Sequence, residues 1–237
     1  MAHVSYLERR GEIQTYFDST AAQAWERLTS DAPVGRIRAS VRAGRDRMRE
    51  TLLAWLPSDL EGMRLLDAGC GTGALAVEAA RRGADVIAID LSPTLVQLAR
   101  ERHHRDNVVN PAPGSIDFRA GDMLEPALGR FDFIVGMDSL IHYPTDDAVR
   151  VIAALAQRAD RSVLVTFAPS NAALAAMRAV GRFFPKANRA PWIEPVAQKS
   201  LFAQLAHEPL LAQWHPVRTQ RIASGFYTSQ ALELARR

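Results

Sequence analysis

The stretch from Arg64 to Gly73, with the sequence RLLDAGCGTG, constrains the fold of this chain more than any other segment. A short apolar run is followed at once by a glycine-rich turn and by residues that can begin a helix. Glycine lets the backbone approach a ligand closely, and the free amides of a helix N-terminus attract negatively charged groups. In an open sheet of parallel strands, ligands bind at the edge where such turns lie. We therefore expect a ligand-binding turn over residues 67–73.

The sequence after Met63 alternates short apolar runs with amphipathic segments, a pattern that is typical of βαβ units in an α/β fold. A helix is predicted to begin at Pro93, because Ser92 can cap its amides and proline at the first position loses no hydrogen bond. Two antiparallel strands are predicted around Ser224 and Gly225. The predicted strands are Arg64–Asp67, Val86–Asp90, Ile116–Ala120, Phe131–Met137, Ser162–Phe167, His215–Phe226 and Tyr227–Leu234, and the predicted helices of the core are Gly73–Arg82, Pro93–His104 and Asp146–Ala159.

The chain divides into four regions on this pattern. Apolar residues recur at helical spacing over 12–56, and Pro57 closes that stretch. Four prolines surround an apolar segment after the last parallel strand, which indicates an insertion rather than a core crossover. The regions are 1–57, an N-terminal helical arm or cap; 58–168, a cofactor-binding core; 169–195, an insertion or lid; and 196–237, a C-terminal helix and hairpin that complete the core.

Composition excludes several other classes of protein. The net charge is only +3, and two of the 29 basic residues are lysine, with no stripe of alternating aromatic and basic residues, so nucleic acid is not an expected partner. Met1–Arg10 lacks the apolar core of a signal peptide, and no run of 18 apolar residues occurs. Cys70 is the only cysteine and can form no internal disulfide, which suits a reducing cytoplasm. We expect a cytoplasmic protein.

Six arginines fall between Arg36 and Arg49, at a spacing that would place them on several faces of a helix. A solvated surface is the simpler interpretation. Attraction to an anionic ligand or to an anionic membrane surface is the alternative.

Acidic residues at the strand ends decide which nucleotide cofactor the glycine turn holds. Asp90 ends the second strand, where a carboxylate can accept hydrogen bonds from a ribose diol. This position, together with the glycine pattern, also fits a dinucleotide-dependent dehydrogenase. Asp122 follows the third strand, where a carboxylate can accept a hydrogen bond from the adenine amine. Together, the acidic residues Asp67, Asp90 and Asp122 at three strand ends favour S-adenosylmethionine. The predicted cofactor-binding residues are Asp67, Gly69, Cys70, Gly71, Gly73, Asp90, Leu91, Asp122, Met123 and Asp138.

The segment after the fourth strand bears on the group that is methylated. Residues 137–144 lack the Asn/Asp-Pro-Pro-aromatic tetrapeptide with which many methyltransferases hold a planar amine, so an oxygen or carbon nucleophile is favoured. His142 lies where the nucleophile would approach the methyl group, and imidazole can accept or donate a proton near neutral pH. A catalytic or orienting role and simple packing beneath the substrate both remain open for His142.

Several segments outside the glycine turn carry a more specific resemblance. They are Tyr16-Phe17-Asp18-Ser19, Asp67–Gly73, Ile89-Asp90-Leu91-Ser92, Asp138–Tyr143, Thr166-Phe167-Ala168-Pro169 and Ser224-Gly225-Phe226-Tyr227. Together they resemble the magnesium protoporphyrin IX methyltransferases of bacteriochlorophyll synthesis, nearly end to end. The resemblance implies a Rossmann-like class I methyltransferase fold with a mostly parallel seven-stranded sheet and a terminal antiparallel hairpin. It also implies methyl transfer from S-adenosylmethionine to one propionate of magnesium protoporphyrin IX, which gives a monomethyl ester.

The same resemblance implies roles for particular residues and partners. Tyr16 and His142 would contribute to catalysis, and the N-terminal helices would form a mobile arm over the active site. The porphyrin-binding subunit of magnesium chelatase is an implied partner, and peripheral contact with the photosynthetic membrane is open. No metal-ligand cluster is evident, so magnesium is expected to enter within the porphyrin. From their location in the arm and the insertion, rather than from the resemblance, the candidate walls of the pigment pocket are Phe17, Trp25, Met177, Phe183, Phe184 and Trp192, with Arg178, Arg182 and Arg189 as candidate partners of the second propionate.

Two other functions remain open from the sequence. One is methylation of a different small molecule, such as a quinone or phenolic oxygen. The other is a noncatalytic protein that binds S-adenosylmethionine and porphyrin and passes the pigment to a later enzyme.

Overall fold

A seven-stranded sheet forms the centre of the protein in the computed structural model, which describes residues 2–18, 29, 35–170 and 193–236. The strand order is β3-β2-β1-β4-β5-β7-β6, in which the first five strands are parallel and β7 is antiparallel to both of its neighbours. The predicted fold class is confirmed. The strands are β1 (Arg64–Ala68), β2 (Asp85–Asp90), β3 (Ser115–Ala120), β4 (Phe131–Gly136), β5 (Ala159–Phe167), β6 (Trp214–Ser224) and β7 (Tyr227–Arg236).

Helices cover both faces of the sheet and bury one apolar cluster on each face. Met48 and Leu52 of α2 and Leu75 of α3 belong to one cluster, together with Val96 of α4. Ile13 of α1 belongs to the other cluster, together with buried residues of α5 and α6. The described helices are α1 (Ala2–Tyr16), α2 (Arg36–Trp55), α3 (Ala74–Arg81), α4 (Pro93–Val109), α5 (Thr145–Ala156) and α6 (Gln198–His207), with short 3₁₀ turns at Pro126–Leu128 and Pro209–Leu211.

The strand order reverses between β1 and β4, because β2 and β3 lie on one side of β1 while β5 lies beyond β4. Loops that leave the carboxyl ends of β1 and β4 therefore run in opposite directions and leave a crevice between them. The glycine turn follows β1 on one side of this crevice, and residues 137–144 follow β4 on the other. The fold thus brings together the two segments to which the sequence assigned ligand binding.

Several predicted boundaries were wrong. Helix α1 already begins at Ala2, ahead of the predicted start at residue 12, because Tyr6 and Ile13 pack on the core although charged residues separate them. Strand β5 begins at Ala159, where the predicted helix would have ended, since this buried residue pairs with Phe131 of β4. A local sequence pattern does not show that a residue will pair with a strand that is distant in the chain.

The hairpin between β6 and β7 turns at Gly225 and Phe226, one residue later than predicted. Gly225 has a φ of 56°, a conformation that suits glycine at the first central position of a two-residue hairpin turn. A Cβ atom on Gly225 would lie 2.5 Å from the Ser40 hydroxyl of α2. The hairpin tip therefore packs directly against the first turns of α2.

Candidate active site

The backbone of the glycine turn adopts a conformation that would be strained for any residue other than glycine. Gly69, Gly71 and Gly73 have φ values of 86°, 53° and 78°. A Cβ on Gly69 would lie 2.4 Å from the Ser139 Cβ, and one on Gly73 would lie 2.7 Å from the Phe118 ring. Glycine is thus needed both for the conformation and for the close approach of neighbouring chain segments.

A cavity of about 1020 Å³ opens over the carboxyl edge of the sheet, with the glycine turn in its wall. It is large enough for a nucleoside cofactor together with a second ligand. Gly73 and Asp122 are the two predicted site residues that do not line it. The predicted residues that line it are Tyr16, Asp67, Gly69, Cys70, Gly71, Asp90, Leu91, Met123, Asp138 and His142.

Asp67 is buried at the end of β1, and its Oδ2 atom has no hydrogen-bond partner among the described residues. Burial raises the pKa of Asp67 to about 7; the nearby carboxylate of Asp90 contributes in the same direction, and a hydrogen bond from the Ala76 backbone acts against it. A buried carboxyl oxygen without a partner is costly unless a ligand satisfies it. Asp67 therefore points to a cationic or hydrogen-bond-donating ligand in the cavity.

Asp90 lies at the end of β2 and fixes the glycine turn. Its Oδ2 accepts a hydrogen bond from the Gly71 amide at 2.8 Å, and its Oδ1 accepts one from the Ser92 amide at 2.9 Å. Burial raises the pKa of Asp90, while these amides act in the opposite direction. Each carboxylate oxygen retains acceptor capacity for a ribose hydroxyl.

Asp122 faces the N-terminal helix. Its carboxylate accepts hydrogen bonds from the Tyr6 hydroxyl at 2.9 Å and from the Arg10 guanidinium at 2.7 Å. The flanking Gly121 and Met123 line the cavity instead. Asp122 thus ties α1 to the sheet edge at the position from which the sequence predicted contact with adenine.

Asp138 follows β4 in the left-handed conformation, with a φ of 53°, and sits at the centre of a polar network. The Arg45 guanidinium of α2 donates to its Oδ2 at 2.7 Å, and only 4% of the Asp138 side chain is exposed. The Tyr227 hydroxyl donates to both carboxylate oxygens at 3.1 Å, and the Ser229 and Thr166 hydroxyls donate to Oδ1 at 3.1 Å. Burial and the Asp138 carboxylate raise the pKa of Tyr227, so its hydroxyl stays protonated as a donor.

Tyr16 and His142, the predicted catalytic pair, line the same cavity. Phe17 lies between them, with its ring centroid 5.3 Å from Tyr16 and 6.2 Å from His142, both in edge-on geometry. The next residue, Asp18, connects this segment to α4: its Oδ1 accepts a hydrogen bond from the Ser92 hydroxyl, which caps that helix. The residues that end α1 are therefore anchored to the cofactor side of the cavity.

Cys70 does not offer a reactive thiolate. Burial raises the pKa of the Cys70 thiol well above its usual value, and the carboxylates of Asp67 and Asp90 raise it further. The thiol therefore stays protonated and serves as a small apolar wall of the cavity.

No three His, Cys, Asp or Glu side chains within the described ranges gather closely enough to hold a metal ion. Among the helices of those ranges, none is long and apolar enough to cross a membrane.

Part of the predicted pigment pocket lies outside the described residues. Phe17 is described and lines the cavity. The candidates outside the described ranges are Trp25, Met177, Arg178, Arg182, Phe183, Phe184, Arg189 and Trp192.

Sequence reasoning missed the residues that hold the site together from a distance. Tyr6 and Arg10 reach Asp122 across more than 110 positions, and Arg45 reaches Asp138 across 93. The arginine run of α2 was visible as a charge pattern, but nothing local indicated which arginine would meet a buried carboxylate. Tyr227 belongs to the segment Ser224–Tyr227 that carries the family resemblance, but the sequence assigned it no role in the site.

The chemistry of this edge fits S-adenosylmethionine. The turn of glycines leaves room for a nucleoside against the backbone, and Asp90 presents acceptors for a ribose. The unpartnered Oδ2 of Asp67 suits the positive end of the cofactor. A phosphate-bearing dinucleotide would instead bring its negative charge against the buried Asp67 carboxyl group.

Comparison with known proteins identifies relatives over nearly the whole chain. A family model described as "Magnesium-protoporphyrin IX methyltransferase C-terminus" matches residues 136–236, and one described as "Methyltransferase domain" matches residues 65–161. The chain is 44% identical over 229 residues to the magnesium-protoporphyrin O-methyltransferase of Rhodobacter capsulatus, covering 96% of this chain and 97% of the relative. It is 32% identical over 181 residues to the Synechocystis protein of the same name, covering 76% and 77%.

A solved structure agrees with these sequence matches. The crystal structure of Synechocystis magnesium protoporphyrin IX methyltransferase with bound S-adenosylhomocysteine superposes with a TM-score of 0.81 at 28% identity, over 96% of this chain and 99% of that one.

Proposed function

The chain belongs to the magnesium-protoporphyrin O-methyltransferase family, and from that membership we propose that it methylates one propionate carboxylate of magnesium protoporphyrin IX. The cosubstrate is S-adenosylmethionine, and the products are the monomethyl ester and S-adenosylhomocysteine. The observation that carries the proposal is 44% identity over 96% of the chain to a bacterial enzyme of that name. The cavity supports it, because carboxylates for the nucleoside and the Tyr16–His142 pair line one space.

Catalysis on this substrate depends on position more than on proton transfer. A propionate has a pKa near 4 and is ionised at neutral pH, so no base is needed. S-adenosylmethionine supplies the methyl group on a positively charged sulfur. What the chain must supply is a carboxylate oxygen held in line at about 3 Å and stripped of water, which is worth roughly 7–11 kcal/mol.

We assign the positioning to residues of two walls. Asp90 would accept from the ribose diol, and Asp67 would neutralise the positive end of the cofactor. His142 and Tyr16 would orient the attacking carboxylate, and the apolar ring of Phe17 between them would exclude water from that oxygen. The lining of the cavity and the hydrogen bonds of its carboxylates support these assignments.

Three of the predicted cofactor-binding residues, Gly73, Asp122 and Asp138, also contact other parts of the protein. Gly73 would act through the shape of the turn, since it packs against Phe118. Asp122 stays a predicted acceptor for the adenine amine, and its contact with the amine would share the carboxylate with Tyr6 and Arg10. Asp138 would act through its network, which holds the loop that leads to His142.

The finer features of the function are also part of the proposal. Magnesium would enter within the porphyrin rather than on protein ligands, since the family acts on a magnesium porphyrin. Cooperation with the porphyrin-binding subunit of magnesium chelatase and peripheral contact with the photosynthetic membrane would suit so apolar a substrate. Residues 1–57 would act as the arm or cap, residues 58–168 as the cofactor core, and residues 169–195 as an insertion or lid. Residues 196–237 would complete the core.

Incubation of the purified protein with methyl-labelled S-adenosylmethionine and magnesium protoporphyrin IX tests the proposal. Chromatography and mass analysis of the pigment should show a single labelled methyl ester, with the label on a propionate. Transfer only to phenolic or quinone acceptors, offered in parallel, would assign a different small molecule. Tight binding of both ligands without any ester would instead indicate a noncatalytic carrier.

A further inference from the structure

One face of α2 points its arginines into the cavity. Lining residues Arg38, Arg42, Arg45 and Arg49 are spaced at i, i+4, i+7 and i+11, which places them within about 60° around the helix axis. The two remaining arginines of the run, Arg36 and Arg47, do not line the cavity. The run is therefore less dispersed than its spacing in the sequence suggested.

The arginines of this face differ in what they contact. Arg45 is paired with the buried Asp138, and Arg49 is paired with Asp46 at 3.0 Å. The guanidinium of Arg38 makes no hydrogen bond or ion pair with any side chain in the described part of the protein. Arg38 lies seven residues before Arg45, which is about 10 Å farther along the helix from the sheet edge. The charge of Arg38 thus remains available at the mouth of the cavity.

An exposed aromatic residue lies beside this charge. Phe226 at the hairpin tip lines the cavity, yet 76% of its surface is exposed. The adjacent Gly225 packs on Ser40 of α2, so the tip and the first turns of α2 form one wall. Tyr16 and His142 belong to the other side of the cavity, because Phe17 between them packs on the opposite apolar cluster of the sheet.

We propose that Arg38 and Arg42, together with Phe226, bind the edge of the substrate that carries the propionate that is not methylated. The inference rests on the proposed function. Guanidinium groups bind carboxylates through short, charge-assisted hydrogen bonds, and an exposed aromatic ring can lie against an apolar macrocycle. One propionate would meet Tyr16 and His142 while the other meets the cationic wall.

This arrangement has a consequence for how many methyl groups are transferred. A second transfer would require the new ester to occupy the cationic wall while the free propionate moves to His142. An uncharged ester carbonyl accepts only a weaker hydrogen bond from a guanidinium and forms no ion pair with it. The wall formed by Arg38 and Arg42 thereby favours a diacid over a monoester as substrate and limits the reaction to one ester.

The test compares an Arg38→Ala/Arg42→Ala variant with wild type and with Arg47→Ala, an exposed arginine of the same helix that does not line the cavity. For each protein, kcat/KM is measured with magnesium protoporphyrin IX and with its monomethyl ester. Pigment fluorescence gives the affinity for the diacid and for the dimethyl ester, and calorimetry gives the affinity for S-adenosylhomocysteine. Arg38→Ala alone serves as a second variant, because Arg38 is exposed and makes no side-chain hydrogen bond or ion pair in the described part of the chain.

The double variant should bind the diacid about 10- to 100-fold more weakly, with an unchanged affinity for the dimethyl ester and for S-adenosylhomocysteine. Its preference for diacid over monoester in kcat/KM should fall by a similar factor, and the lysine variants at both positions should restore much of it. Arg47→Ala should resemble wild type. Wild-type discrimination in both Ala variants would overturn the inference while leaving the proposed function intact.

Two further outcomes are distinguishable. A wild-type protein that forms no ester refutes the proposed function itself, whatever the variants do. Unchanged binding of the diacid, with loss of binding to vesicles of anionic phospholipid in the Arg38 variants, would assign the cationic wall to a membrane surface and overturn the inference.

Discussion

Asp67 should make binding of S-adenosylmethionine tighter as the pH rises. Its raised pKa of about 7 leaves it mostly neutral in mildly acidic solution and mostly ionised in mildly alkaline solution. The ionised fraction is roughly a tenth at one unit below the pKa and roughly nine tenths at one unit above it. If the cationic cofactor binds the ionised form, its affinity should therefore increase about tenfold between about pH 6 and about pH 8.

Calorimetric titration of S-adenosylmethionine, in the absence of any acceptor, measures this dependence. The amino group of the cofactor itself loses a proton near pH 8, which acts in the opposite direction. An Asp67→Asn variant shows the contribution of the amino group alone. The ratio of wild-type to variant affinity should therefore increase about tenfold over the same pH range. A ratio that does not change with pH would refute the assignment of Asp67 to the positive end of the cofactor.

The same pKa makes a prediction about stability without cofactor. The folded-state pKa of about 7 lies above the unfolded value of 3.8, so the folded protein binds the proton more tightly. Stability from this group is therefore greatest below pH 4 and is lost as the pH rises to about 7, by up to about 4 kcal/mol. Thermal unfolding in a pH series should show this loss in wild type relative to Asp67→Asn, and the opposite trend would contradict the burial of Asp67 with its Oδ2 atom unpartnered.

Four further substitutions test other parts of the site. Asp90→Ala should weaken S-adenosylmethionine about 10- to 100-fold by calorimetry, because ribose acceptors and the tie to the glycine turn are lost; normal affinity would reject the ribose assignment. His142→Ala and Tyr16→Phe should each lower kcat with little effect on cofactor affinity, by about 10²-fold for His142, and an unchanged rate would remove that residue from catalysis. Arg45→Met should cost about 3 kcal/mol, and roughly 6–12 °C in Tm, because Asp138 is left charged and only 4% exposed; a Tm equal to that of wild type would show that the pair contributes nothing.

The sequence predicts the part of the site whose residues lie close together in the chain or at the ends of adjacent strands. Asp67, Gly69 and Gly71 are neighbours in one turn, and Asp90 ends the next strand, so the order of parallel strands was enough to bring them together. The fold class followed from the same alternation of strands and helices, and the seven-stranded sheet confirms it.

The part that sequence did not predict depends on contacts between distant segments. Asp122 was assigned to adenine from its strand end, yet its carboxylate is engaged by Tyr6 and Arg10 of a helix whose docking no local pattern specifies. The same holds for Arg45, which became the partner of Asp138 because α2 packs across the carboxyl edge of the sheet. Burial then decides which of several similar arginines becomes structural and which stays available to a ligand.

A crystal structure of the protein with S-adenosylhomocysteine and magnesium protoporphyrin IX would test most directly whether both ligands share this cavity. The ribose should lie on Asp90, and one propionate oxygen should approach the cofactor sulfur beside His142 and Tyr16. The other propionate should lie at the arginines of α2. A pigment bound outside the cavity, or a nucleoside away from the glycine turn, would contradict the assignment of methyl transfer to this edge of the sheet.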